Sequence, residues 1–170
     1  MSEAATCPSA RASKDGYLYP APDTTEHHAL LDWAEKCIGI TFRDDAKVIA
    51  RVVGGDLRAV VVFDRFSATD CLLHVASSGN GRWFSRELAI RAMAYPFLQC
   101  GLPRITAIIS EHNAESLRIT RKFGFVEEGR MRKAGEHGED ELLFGLLREE
   151  CRWLPEHGRR LFPAGRSDDK

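Results

Sequence analysis

The stretch Arg104-Ile105-Thr106-Ala107-Ile108-Ile109, followed by Asn113-Ala114-Glu115-Ser116-Leu117-Arg118 and Lys122-Phe123-Gly124-Phe125-Val126, decides how this chain folds. Its first part is a short apolar run rich in β-branched residues, the pattern of a strand. Asn113 is a good helix N-cap, Leu117, Thr120 and Phe123 recur on one side, and Gly124 is placed as a C-terminal stop with Phe125 beyond it. A strand therefore feeds a sharply delimited helix. Asn113 and Ser116, three residues apart, bring two polar groups to the mouth of that helix.

Working back from this segment, Leu88, Ala92 and Tyr95, with Phe84 ahead of them, lie on one helical face, and Ile90, Met93 and Phe97 add a second. That helix is buried on much of its circumference. Pro96 must kink or end it, and Gly101 and Pro103 punctuate the link to the strand at Arg104. Before it, Cys71 to Ser77 is an apolar run feeding the glycine turn Ser77-Ser78-Gly79-Asn80-Gly81. Strand, helix and strand in this order imply a right-handed crossover and a locally parallel pair.

Further out the connections are hairpins. Val48–Val53 and Leu57–Phe66 flank Gly54-Gly55-Asp56, and Glu127–Arg132 and Glu141–Leu147 flank a turn containing Gly135 and Gly138. A helix capped by Thr24 or Thr25 and closed by Gly39 carries Leu30, Trp33, Ala34, Cys37 and Ile38 as its apolar face. Arg148 to Leu154 is read as a short terminal helix. The expected organisation is a loose arm over 1–23, in which only Tyr17-Leu18-Tyr19 can pair as a strand, one α/β domain over 24–154, and a flexible tail over 155–170.

Composition agrees with one globular domain: 170 residues, 44% apolar and 29% charged. A net charge of -1 gives no chain-wide attraction for nucleic acid or an anionic membrane, so neither is expected as a partner. Five widely spaced cysteines show no Cys-x-x-Cys pair and no zinc spacing, which points to a reducing compartment and no metal. Cys37, Cys71, Cys100 and Cys151 are read as small core residues and Cys7 as a free thiol in the arm. No apolar segment is long enough to span a bilayer and the first residues lack a signal-peptide core, so a cytoplasmic location is expected.

The turn after Ser77 leads into a helix start near Ser85, where backbone N–H groups and the helix dipole favour an anion. Between Arg82 and Arg132 the chain carries nine Lys/Arg against five Asp/Glu. Arg82, Arg86, Arg118, Arg121 and Lys122 are the expected contributors, placed at the starts of the two helices; solvated helix faces are the plainer alternative.

Together, Asn-x-x-Ser at Asn113 and Ser116, Gly124-Phe125 and Glu128-Gly129 resemble the signature of the GNAT acetyltransferases, and within them the branch of ribosomal-protein N-terminal and polyamine acetyltransferases. The resemblance spans roughly Leu30 to Leu154. It implies a mixed, mostly antiparallel sheet whose central parallel strands splay into a V, flanked by helices. It also implies acetyl-CoA as co-substrate, an amine acceptor, and compatibility with a homodimer. Pantetheine would pair with the strand ending at Ser77, a backbone N–H near Val75 or Ala76 would meet the thioester carbonyl, and the pyrophosphate would lie on Ser78, Gly79, Asn80, Gly81, Arg82 and Trp83; the local positive charge adds Arg121 as a further expected cofactor contact. Trp83 departs from the small residue usual in the family at that position, and a bulky aromatic at the start of a buried helix is more often core.

By the same resemblance Asn113 orients the pantetheine arm and Ser116 donates a proton or hydrogen bond to the departing thiolate; many relatives use a tyrosine there, but Tyr17, Tyr19 and Tyr95 lie outside the matching segment. His74 has the intrinsic pKa for a general base, although a histidine in an apolar strand is more often a hydrogen-bonded core residue. Glu136, His137 and Asp140 compete for the role, as does a water relay. The expected function is acetyl transfer from acetyl-CoA to a primary amine; the alternatives are a binding module for acyl-CoA or a protein without turnover, and an interaction protein with no cofactor.

Overall fold

A seven-stranded sheet in the order β1-β2-β3-β4-β5-β7-β6 organises the molecule. The structure is a computed structural model that describes residues 15–79 and 83–154. In chain order the elements are β1 (Asp15–Leu18), α1 (Thr25–Ile38), β2 (Lys47–Val53), β3 (Asp56–Asp64), β4 (Leu72–Ser77), α2 (Arg86–Ala94), β5 (Arg104–Ser110), α3 (Ala114–Phe123), β6 (Val126–Met131) and β7 (Glu141–Leu147), with a 3-10 turn at Arg148–Glu150. All neighbouring strands are antiparallel except β4 and β5, which run parallel.

Local signals end the helices where the chain must turn. Thr24 accepts the His27 N–H and Gly39 closes α1 with φ 75, while Asn113 accepts the Ser116 N–H and Gly124 closes α3 with φ 103, a backbone geometry that costs glycine little. Ser85 caps α2 by accepting the Leu88 N–H. Regular α-helix ends at Ala94, one residue before the pair Tyr95-Pro96, and the chain continues through a wider π turn over Tyr95–Gln99, whose Cys100 N–H reaches Tyr95 O at 3.0 Å. Pro96, with no N–H to give, is buried inside this turn rather than ending the helical path.

The strands alternate between two cores. Ala59, Val61, Phe63, Ile105, Ala107, Phe144 and Leu146 pack with Leu88, Met93 and Leu117 of α2 and α3, whereas Val60, Val62 and Ala76 pack with Leu30, Leu31 and Ala34 of α1. The buried face of α1 is thus His27, Leu30, Leu31 and Ala34, turned from the expected one: Cys37 and Ile38 are exposed. Cys100 is also exposed, leaving only Cys71 and Cys151 of the described cysteines in the core. Burial pushes the Cys71 thiol up to about 12, and the thiols of Cys37, Cys100 and Cys151 are raised as well, so none is activated as a thiolate.

The sheet also reaches back before residue 24. β1 pairs with β2 from Asp15↔Val53 to Leu18↔Ala50, Tyr17 Oη lies 2.8 Å from Ser85 Oγ, and Arg91 donates to Tyr19 Oη at 2.7 Å while lying over the Tyr17 ring. Aromatic contacts from α2 therefore secure the stretch where only a short strand was expected. Among the described residues no helix is long and apolar enough to cross a membrane.

Candidate active site

β4 and β5 touch at one register point, Leu72↔Thr106, where Thr106 donates its backbone N–H to Cys71 O at 3.0 Å. Beyond it the strands part, and the gap opens a cleft of about 770 Å³ lined by both strands, α2, α3 and the end of α1. A side-chain lock holds the closed end: Thr106 Oγ1 donates to Asp70 Oδ2 at 2.6 Å, and Arg104 reaches Thr106 Oγ1 at 3.0 Å and Glu128 at 2.9 Å.

The hydrogen-bonding parity of β4 decides which backbone groups face this gap. Cys71 O bonds toward β5, whereas Ser78 N–H bonds to Arg58 O on the β3 side at 3.0 Å. The β3–β4 register runs without a shift. Alternate residues of a strand address opposite neighbours, so His74 and Ala76 spend their backbone groups on β3, and Leu73, Val75 and Ser77 aim theirs into the gap. Of the two residues expected to offer an N–H there, Val75 does so and Ala76 does not. Ser78 likewise commits its backbone N–H to β3.

Side chains divide by the opposite rule, one sheet face against the other. His74 shares the α1 face with Val62, its partner on β3, and with Ala76. It lies edge-on to Phe42 with centroids 5.2 Å apart, and its Nε2 is buried without a hydrogen-bond partner. Burial lowers its pKa; Asp64 opposes that shift and Arg65 adds to it. This is the environment of a neutral imidazole.

Asn113 and Ser116 line the cleft from the other face, where α3 begins. The Asn113 side chain accepts the Ser116 N–H at 3.0 Å, so Asn113 is a cap as well as a cleft residue. From the cap along α3, Asn113, Ser116, Ile119, Thr120 and Phe123 line the cleft at helical spacing, and Glu115 in the first turn lines it beside them. Arg121 is off that face: it pairs with Glu127 at 2.9 Å and lies over the Phe144 ring. Arg121 and Lys122 belong to the last turn of α3, where cations complement the helix dipole, rather than to its start. Among the described basic contributors, only Arg86 stands at a helix start.

Gly79 takes φ 76, a left-handed turn residue after β4. Asn80, Gly81 and Arg82 lie outside the described residues. Trp83 lines the cleft, is half-buried against the α2/α3 core and meets Phe84 edge-on at 5.8 Å, and it does not seal the gap. None of the described tyrosines lines the cleft.

Glu136, one competing base, lines the cleft, whereas Asp140 is tied to Arg130 at 2.9 Å, which with the Lys133 N–H holds its carboxyl below the usual range. His137 uses its backbone N–H on Glu139. Sequence reasoning missed Glu139 and Glu141, which also line the cleft, and the wall made by Cys37, Ile38 and Ile40. Glu141 pairs with Ser110 and so falls on the face opposite Ile109 and Leu142, the same side as His74. The apolar residues left exposed at the end of α1 were the available signal. Among the described residues, no group of three or more His, Cys, Asp or Glu is placed to hold a metal ion.

Comparison with known proteins places this geometry. No protein-family model matches the chain. The SPbeta prophage-derived uncharacterized N-acetyltransferase YokL of Bacillus subtilis (strain 168) is 30% identical over 75 residues, 42% of this chain and 42% of that protein. The chain thus matches less than half the length of that curated relative. Among solved structures, the spermidine/spermine N-acetyltransferase SpeG from Vibrio cholerae, in complex with manganese ions, superposes with a TM-score of 0.56 at 19% identity, covering 61% of this chain and 66% of that one. The ribosomal-protein-S5-alanine acetyltransferase from Vibrio fischeri superposes with a TM-score of 0.54 at 21% identity, covering 65% and 64%. At such identities the likeness establishes the fold.

Proposed function

The chain carries the GNAT fold, and from that premise we propose that it transfers an acetyl group from acetyl-CoA to a primary amine, with both held at once in the cleft. When bound, acetyl-CoA supplies an electrophilic thioester. One observation carries the proposal: the β4–β5 gap passes between a base candidate on one sheet face and a hydroxyl at a helix N-terminus on the other.

The residues divide the work accordingly. Val75 N–H, aimed into the gap, donates to the thioester carbonyl, and the open edge of β4 at Val75 and Ser77 pairs with the pantetheine amides. Asn113 orients that arm while capping α3. Ser116 donates to the departing sulfur, whose negative charge the N-terminus of α3 also favours. Gly79, together with Asn80, Gly81 and Arg82 that follow it in sequence, receives the diphosphate, with Trp83 lining the cleft. His74, neutral in its buried setting, takes the proton from the attacking amine.

Glu136, Glu139 and Glu141 line the cleft, with Glu141 on the His74 face. Carboxylates there favour an acceptor that arrives as a cation, a description that fits a protein N-terminus or a polyamine. Titration calorimetry with acetyl-CoA, followed by thiol release over peptides, polyamines and amino sugars, tests the assignment. Binding followed by amine-dependent release supports it. Binding with no release for any amine identifies a binding module, and no binding overturns both.

A further inference from the structure

Asp64 ends β3 directly after the apolar run Ala59–Phe63, and it is only 2% exposed. A buried carboxylate is costly unless it is paired, and the described partners of Asp64 are few. Its Oδ1 accepts the Arg65 N–H at 2.7 Å, and its Oδ2 lies 3.8 Å from Arg65 Nε on a side chain that is 68% exposed. Arg65 holds φ 52, a left-handed conformation that non-glycine residues adopt at a cost. The chain thus accepts backbone strain beside a carboxylate kept out of water.

Its location gives that carboxylate a use. Asp64 and Arg65 both line the cleft. Asp64 pairs with Leu72 and Val62 pairs with His74, so Asp64 and His74 are diagonal neighbours on the α1 face, about 7–8 Å apart between backbones. We propose that Asp64 is a positioning residue that acts through His74, its charge keeping the imidazole basic enough to accept the proton of the attacking amine. This rests on the assignment of His74 as base. The cationic acceptor first gives one proton to water; the neutral amine nitrogen then forms its bond to the acyl carbon, the carbon–sulfur bond breaks with its electron pair leaving on sulfur, and the nitrogen's second proton passes to a ring nitrogen of His74 and then to water.

The charged and titratable groups that line the cleft with His74 are Asp64 and Arg65 from the end of β3, Cys37 from α1, Glu115 from α3, and Glu136, Glu139 and Glu141 from β7 and its hairpin, while the cleft residues of β5 contribute none. Glu35 of α1 accepts the N–H of Phe42, whose ring packs against His74. Desolvation lowers the His74 pKa, Asp64 raises it and Arg65 lowers it, the signs this placement requires.

Asp64→Asn keeps the Oδ1 acceptor for the Arg65 N–H and removes the charge. Two quantities are followed against pH: the His74 ring resonances by NMR, and kcat/KM for thiol release. In the variant, the His74 midpoint and the acid limb of kcat/KM both move to lower pH, and kcat falls about three- to tenfold with the weaker base. A His74 midpoint that stays in place overturns the proposal, whether or not any amine is acetylated. A midpoint that moves while the acid limb stays overturns the catalytic part. A midpoint that moves in a protein acetylating no amine supports the Asp64–His74 coupling while the acetyl-transfer assignment fails. Should Asp64→Asn not fold, Asp64→Ser carries the test, since its hydroxyl oxygen still offers an acceptor to the Arg65 N–H while the charge is gone: the His74 midpoint again moves to lower pH, and no movement overturns the coupling.

Discussion

Thr106→Val tests what holds the two central strands together. Thr106 is 5% exposed, and its hydroxyl donates to Asp70 at 2.6 Å and accepts from Arg104 at 3.0 Å, at the single register point between β4 and β5. Valine preserves the side-chain shape and the backbone bond to Cys71 but leaves the carboxylate with Arg104 Nε at 3.3 Å, its Oδ1 already lacking a partner. A hydrogen bond to a charged group contributes about 1.5–3 kcal/mol. Asp70 and Arg104 are 30% and 29% exposed, so water replaces part of the loss. The expected destabilisation is therefore about 1–2 kcal/mol, or a fall of about 2–8 °C in Tm. Urea unfolding followed by tryptophan fluorescence measures it as a lower midpoint at constant slope, with Thr106→Ser, which keeps the hydroxyl, as the control. A change below about 0.5 kcal/mol, the size of an ordinary surface substitution, would refute the lock.

Three further outcomes are expected. Ser116→Ala lowers turnover about ten- to hundredfold and leaves acetyl-CoA affinity nearly intact, since the hydroxyl serves the leaving sulfur; unchanged turnover removes Ser116 from the mechanism. His74→Gln makes stability less dependent on pH. Because burial holds the folded pKa of His74 below the ordinary 6.5, the unfolded chain takes up the proton first, and stability present above 6.5 is lost as pH falls toward the folded value. The slope of unfolding free energy against pH below 6.5 is shallower in the variant, and an unchanged slope contradicts the buried neutral imidazole. Glu141→Gln raises KM for cationic amines about two- to tenfold with little change in kcat and weakens the salt dependence of KM; equal KM at low salt places Glu141 outside substrate recognition.

Local chemistry was the most legible part of the chain. Thr24, Asn113, Gly39 and Gly124 act within one helical turn of themselves, so their roles could be read without the rest of the fold, as could the glycine hairpin at Gly54-Gly55. Asn113 was legible as a cap for the same reason, whereas the roles given to Asn113 and Ser116 in the cleft came from the family resemblance. The face of α1 was misjudged because Cys37 and Ile38 keep helical spacing yet border the cleft, and periodicity cannot tell a core contact from a groove wall. Arg121 has the charge for a phosphate but sits in the last turn of its helix, paired with Glu127. Asp64 was hidden inside an apolar run that read as an ordinary strand, although an acidic residue ending five buried positions was itself the clue. The choice between Val75 and Ala76 needed the pairing of β4 with β3, a long-range fact that no local pattern encodes.

With one rung between β4 and β5, the sheet is hinged panelling: four strands on one side, three on the other, joined through the shared apolar filling under α2 and α3. Amides along that seam on the wide side have no cross-strand partner in the neighbouring panel, so they exchange with solvent faster than those inside either half. A molecule laid along the exposed margin of β4 supplies missing rungs, so occupancy slows exchange at Val75 and Ser77 and sharpens the melting of both halves into one transition.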